Sequence, residues 1–108
     1  MIRVLGIDPG ASGGMAIIKG NDEYECFGFA KMTKPDIADL IRRNLSSIDI
    51  CYLEKVHSMP GQGVKSTFKF GEGFGHLQGI LDSLMVKYTF VRPGTWQKEL
   101  GIQSLIRD

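Results

Sequence analysis

The sequence is poor in the features that mark a secreted, membrane-bound or fibrous protein. It holds only two cysteines, Cys26 and Cys51, in 108 residues. Both fall inside strand-like runs and neither has a neighbour at metal-ligand spacing, so reduced core thiols are expected rather than a disulfide framework or a zinc site. No apolar run approaches the roughly 20 residues that a membrane helix requires. Met1 leads directly into a strand-like stretch, and nothing there directs the chain out of the cytosol. Internal repeats and low-complexity tracts are absent too.

The residues present suit one globular unit, because domains cluster at about 100–150 residues. Hydrophobic residues make up 43% of the chain and charged residues 23%, enough apolar material for a core within an ordinary soluble surface. The net charge of +1 conceals an uneven distribution. Residues 1–54 carry six basic and eight acidic side chains. Residues 55–98 carry six basic ones (Lys55, Lys65, Lys69, Lys87, Arg92 and Lys98) against Glu72 and Asp82. A basic surface beside an acidic site suits an enzyme that handles phosphodiesters, although so short a chain reaches this imbalance by chance about as readily.

Hydropathy and turn signals give the order of elements. Ile2–Ile7 is an apolar, β-branched run ended by Asp8-Pro9-Gly10, which reads as a buried strand and a turn. Strands over Met15–Lys19 and Tyr24–Phe29, joined at Gly20-Asn21-Asp22, complete an antiparallel meander. Thr33, with Asp36 three residues on and Pro35 in the first turn, caps a helix. Ile37, Leu40, Ile41 and Leu45 form its inward face. Ile48–Leu53 is a fourth strand ending at Glu54. A helix between the meander and this strand implies a crossover and a mixed sheet. Residues 55–66 read as a loop, followed by a helix to about Lys87 with Phe70, Phe74, Leu77, Leu81 and Leu84 in one stripe. Tyr88–Val91 is a fifth strand, and Thr95 can cap a short helix around Trp96–Leu100. Gly71, Gly75 and Gly79 share one face of the second helix, where each costs about 1 kcal/mol relative to alanine. Such a stripe predicts a close approach by sheet, partner helix or nucleic acid, with tight packing against the sheet the favoured reading.

Asp8 and Glu54 end the first and fourth strands. Parallel neighbouring strands would bring both carboxylates to one edge of the sheet, where their repulsion favours a cation between them. Hard ions such as Mg²⁺ take oxygen ligands, and two such ions can flank a phosphate during in-line displacement. Taken singly, Asp8 reads more readily as a turn residue before Pro-Gly, and Glu54 is weaker still; their matched positions make the case. The turn Gly10-Ala11-Ser12-Gly13-Gly14 could offer backbone N–H groups to an anion. It lacks the Gly-Lys-Ser/Thr of a P-loop and leads into a strand, so a tight hairpin is the simpler reading.

In sequence, Gly6-Ile7-Asp8-Pro9-Gly10 with Gly13-Gly14 closely resembles the opening of RuvC-type Holliday junction resolvases. The resemblance continues in order through Leu53-Glu54, which looks like that family's second acidic site. The glycine-bearing segment 55–87 is similar to its DNA-contacting segment, and Arg92-Pro93-Gly94-Thr95-Trp96-Gln97-Lys98 resembles the stretch after its fifth strand, especially in phage and environmental relatives. The resemblance implies a ribonuclease-H-like fold with a mixed five-stranded sheet (β-β-β-α-β-α-β) and flanking helices. It also implies a cytoplasmic homodimer, of a bacterial cell or a phage-infected host, that cuts four-way DNA junctions with Mg²⁺ or Mn²⁺. Asp8 and Glu54 would bind metal and help activate water. His57, Met59 and the loop to Lys65 would lie against the junction, with Lys55, Lys65, Lys69, Arg92 and Lys98 as phosphate contacts.

The chain departs from the family in one respect. The family carries further carboxylates, usually an Asp pair on a C-terminal helix tens of residues beyond position 108. Asp108 is too early to match them, and Asp82 lies within the second helix. The expectation is therefore a single nuclease domain over residues 1–108 that lacks its C-terminal helix. Two alternatives carry different functions: a non-catalytic nucleic-acid-binding domain of the same fold, and a lobe of the hexokinase–actin–heat-shock ATPase type. Against the latter, the chain is short for two lobes, and Pro9 stands where those phosphate loops usually continue Gly-Thr-like.

Overall fold

The structure, a computed structural model, describes residues 2–10, 12–20, 23–55, 61 and 63–92. Among the described residues the fold is α/β: five strands form one mixed sheet and two helices pack on it. Strand β1 (Val4–Asp8) and β2 (Gly14–Gly20) form an antiparallel hairpin, and β3 (Glu23–Gly28) pairs antiparallel with β2. Helix α1 (Lys34–Arg43) then carries the chain to β4 (Ile50–Glu54), which lies parallel to β1 on its other side. Helix α2 (Val64–Ser83) leads to β5 (Tyr88–Val91), parallel to β4. The strand order is β3-β2-β1-β4-β5, so β1 is central.

Alternation along the strands decides which residues meet. Leu5 and Ile7 of β1 share a face with Met15 and Ile17 of β2 and with Cys51 and Leu53 of β4. All six belong to one buried cluster with Ile37, Leu40 and Ile41 of α1 and Leu77, Ile80 and Leu81 of α2. Both helices therefore cover the same face of the sheet. The opposite face carries Gly6 and Asp8, Gly14 and Ala16, and Tyr52 and Glu54, beside a smaller cluster of Ala16, Ile18, Cys26 and Val91. The two thiols thus occupy opposite faces, and both are free.

Local chemistry explains the helix ends. The Thr33 side chain accepts from the Asp36 N–H while the Asp36 carboxylate accepts from the Thr33 N–H, so the expected capping box starts α1. The chain leaves α1 at Asn44 and makes a short 3₁₀ turn over Leu45–Ser47, which removes Leu45 from the helical stripe. Helix α2 begins at Val64, earlier than the loop expected over 55–66, on Gly63, which offers no side-chain cap. It also ends earlier, because Met85 adopts φ 60. The Met85 N–H donates to the Asp82 carbonyl at 3.1 Å and the Val86 N–H to the Leu81 carbonyl at 2.8 Å. That is the Schellman pattern, made here without the glycine that usually signals it.

The glycine stripe of α2 corrects a second expectation. Gly71, Gly75 and Gly79 are exposed, and a Cβ built at any of them meets nothing within 4 Å. These glycines do not pack against the sheet, which α2 meets through Leu77, Ile80 and Leu81 instead. No helix among the described residues is long and apolar enough to cross a membrane. The helix expected around Trp96–Leu100 lies outside the described residues.

Candidate functional site

Strand register brings Asp8 and Glu54 together. β1 and β4 pair from Val4↔Ile50 to Ile7↔Leu53, and each strand extends one residue further, to Asp8 and to Glu54. Hydrogen-bonded strands lie about 4.8 Å apart, and residues at equivalent positions point to the same side. The two carboxylates are therefore neighbours at the C-terminal ends of two parallel strands, on the face opposite the helices. Both are buried, with Asp8 4% and Glu54 0% exposed.

The turn behind Asp8 is built to hold it. Gly13 donates to the Gly10 carbonyl at 3.2 Å, and its own carbonyl accepts from the Phe29 N–H at 3.0 Å, which ties the hairpin to the end of β3. A Cβ at Gly13 would fall on the Asp8 carbonyl and within 2.9 Å of the Pro9 oxygen, so only glycine permits this return of the chain. Gly10 has φ +117, and a Cβ there would stand 3.5 Å from the Phe70 ring. The turn is a tight hairpin against α2. On its own face the strand positions beside Asp8 are Gly6, Gly14 and Glu54.

Buried charges in proteins are paired, hydrogen-bonded or bound to a metal. Two carboxylates held side by side repel unless a cation or hydrogen-bond donors lie between them. Their donor set, anionic oxygen only, fits a hard divalent cation. No group of three or more His, Cys, Asp or Glu that could hold a metal occurs among the described residues. Asp82 does not join the pair. It stands one residue from the C-terminal end of α2, near Tyr88, which opens β5, whereas Glu54 aligns with Val91 at the strand's far end. Three residues of strand separate the two by about 10 Å.

The basic residues divide. Lys55, Lys65, Lys69 and Arg92 are exposed. Lys55 directly follows Glu54; its N–H donates to the Val91 carbonyl at 2.9 Å, and its ammonium lies 5.7 Å from the centroid of the Phe90 ring. Lys65 lies in the first turn of α2 and Lys69 one turn on. His57, Met59 and Lys98 lie outside the described residues. Sequence patterns did not reveal the hollow where Lys34 of α1 meets Glu72 of α2 at 2.8 Å. Its walls come from segments some forty residues apart, with no motif to join them.

No protein-family model and no curated protein matches this chain.

Proposed function

We propose that the chain is a ribonuclease-H-like domain of a divalent-metal-dependent, structure-specific endonuclease, with four-way DNA junctions as its substrate class. The observation that carries this reading is the pair Asp8 and Glu54, buried side by side at the ends of parallel strands. Element order, the mixed sheet and the resemblance of Gly6–Gly14 to RuvC-type resolvases support the same reading.

In this account Asp8 and Glu54 hold Mg²⁺ or Mn²⁺. Bound there, the ion would neutralise charge on a phosphodiester and lower the pKa of a water. Lys55, Lys65, Lys69 and Arg92 attract the DNA backbone and position it, with His57, Met59 and Lys98 assigned to the same surface from the sequence.

The test is binding of a fluorescent four-way junction against a linear duplex of equal length. Affinity should favour the junction and fall with salt, log K declining by about 0.9 per phosphate contact per log unit. Lys69→Gln should reduce that slope by about one contact, and any Mg²⁺-dependent nicking should vanish in Asp8→Asn. Equal binding of both DNAs, or a flat salt response, would refute the reading. Salt-sensitive junction binding with no nicking under any divalent ion would favour a non-catalytic binding domain.

A further inference from the structure

On the helix-covered side of the sheet, a hollow of about 400 Å³ opens between α1, α2 and the Gly10 turn. Its size falls in the range of sites that enclose small organic ligands, about 300–1,000 Å³. The floor is apolar: Phe29, Ile37 and Leu77 belong to the core cluster, and Phe70 stands at the side under Gly10. The polar groups are few and gathered at the rim, where Lys34, Lys69, Glu72 and His76 converge. The Lys34 ammonium donates to Glu72 Oε1 at 2.8 Å. This pairing holds the Glu72 carboxyl below its ordinary range, with Lys69 adding to the effect. Burial, and then the charge of Lys34, push His76 below its ordinary value. Its ring is neutral near pH 7 and offers one donor and one acceptor.

These features describe a ligand by its chemistry. A flat apolar body suits the floor. An anionic group suits the rim, whose two ammonium groups outnumber its one carboxylate. Polar ring edges with both donors and acceptors suit neutral His76 and the acceptor capacity left on Glu72. A simple fatty acid would leave the last pair unused, and inorganic phosphate would leave the floor bare. We infer that this hollow is a nucleotide subsite, which takes the base on its apolar floor and the 5′-phosphate at Lys34 and Lys69. The nucleotide can be free or can be one unit of a DNA strand. Only the strand source rests on the nuclease reading: the hollow adjoins Gly10, two residues beyond Asp8, but opens on the helix-covered face, so one strand would have to cross the sheet edge to reach both.

Gly73 supplies a direct test. It lines the hollow, and a Cβ there meets nothing within 4 Å, so a larger side chain fills the space without clashing at its root. Replacing a mid-helix glycine also favours the helix. Gly73→Leu should therefore raise the melting temperature while blocking the subsite. The measurement is a titration followed by ¹H–¹⁵N chemical shifts. The probes are deoxyadenosine 5′-monophosphate, deoxyadenosine, inorganic phosphate and a 5′-phosphorylated single-stranded oligonucleotide. The monophosphate should shift Gly10, Gly73 and His76 with Kd below about 1 mM. Deoxyadenosine or phosphate alone should bind at least tenfold more weakly, and Gly73→Leu should abolish the shifts. The same shifts from the oligonucleotide alone would support the subsite with a strand as its source. Asp8→Asn should leave the subsite intact while weakening ion binding, so the two readings fail separately. Phosphate acting as strongly as the monophosphate, no probe shifting these residues, or full binding by a folded Gly73→Leu protein would overturn the inference.

Discussion

Replacing the three exposed glycines of α2 by alanine probes how this helix is used. Each glycine costs a helix interior about 1 kcal/mol relative to alanine, through backbone entropy and the lost side chain. Close packing could cancel that gain, yet apart from the helix's own backbone a Cβ placed at Gly71, Gly75 or Gly79 meets nothing within 4 Å. The gain should therefore appear in full: about 1 kcal/mol for each single variant and about 3 kcal/mol for the triple. For a domain of this size, 1 kcal/mol moves the melting temperature by roughly 4–8 °C. Thermal unfolding followed by circular dichroism at 222 nm, at two protein concentrations tenfold apart, measures this. Unchanged or lowered melting temperatures would mean that these positions are packed against something a methyl group disturbs. A loss that deepens with protein concentration would show the glycine face covered by a second copy of the chain.

Gly13→Ala should cost about 1–3 kcal/mol or more, because the new methyl group falls on the Asp8 carbonyl and the hairpin must open; urea unfolding at wild-type stability would contradict this. Cys51 should give an alkaline signature. Burial pushes its thiol from 9.0 up to about 12, so the folded chain keeps a proton that the unfolded chain releases. Stability from this group is complete below pH 9.0 and is lost as pH rises towards about 12, by up to about 1.4 kcal/mol per pH unit. In urea unfolding at pH 8, 9.5 and 10.5, Cys51→Ala should decline less steeply than the wild type; parallel declines would refute it.

Where the sequence was readable, local chemistry and tertiary structure agree. Thr33 and Asp36 announce a helix start through a reciprocal pair of hydrogen bonds, and that pair forms. Tyr88–Val91 is bounded as its β-rich composition indicates. The meander and the crossover between β3 and β4 follow from element order, and that topology makes Asp8 and Glu54 neighbours. The ends of α2 were less legible. Gly63 and Val64 carry no capping signal, and Met85 takes the left-handed conformation that glycine or asparagine would have advertised. The glycine stripe misled because glycine spacing records which faces could be approached closely, not whether anything does so. The hollow beside Gly10 was invisible because Lys34 and Glu72 meet only through the docking of α1 on α2.

Isothermal titration with Mn²⁺ decides whether Asp8 and Glu54 together hold a divalent cation. The wild-type chain should bind Mn²⁺, and Asp8→Asn and Glu54→Gln should each weaken binding by more than tenfold, about 1.4 kcal/mol. Both variants should keep the wild-type fold by ¹H–¹⁵N spectra, because each removes carboxylate repulsion without changing side-chain size. Unchanged Mn²⁺ affinity in the folded double variant, or no binding by the wild type, would contradict the account.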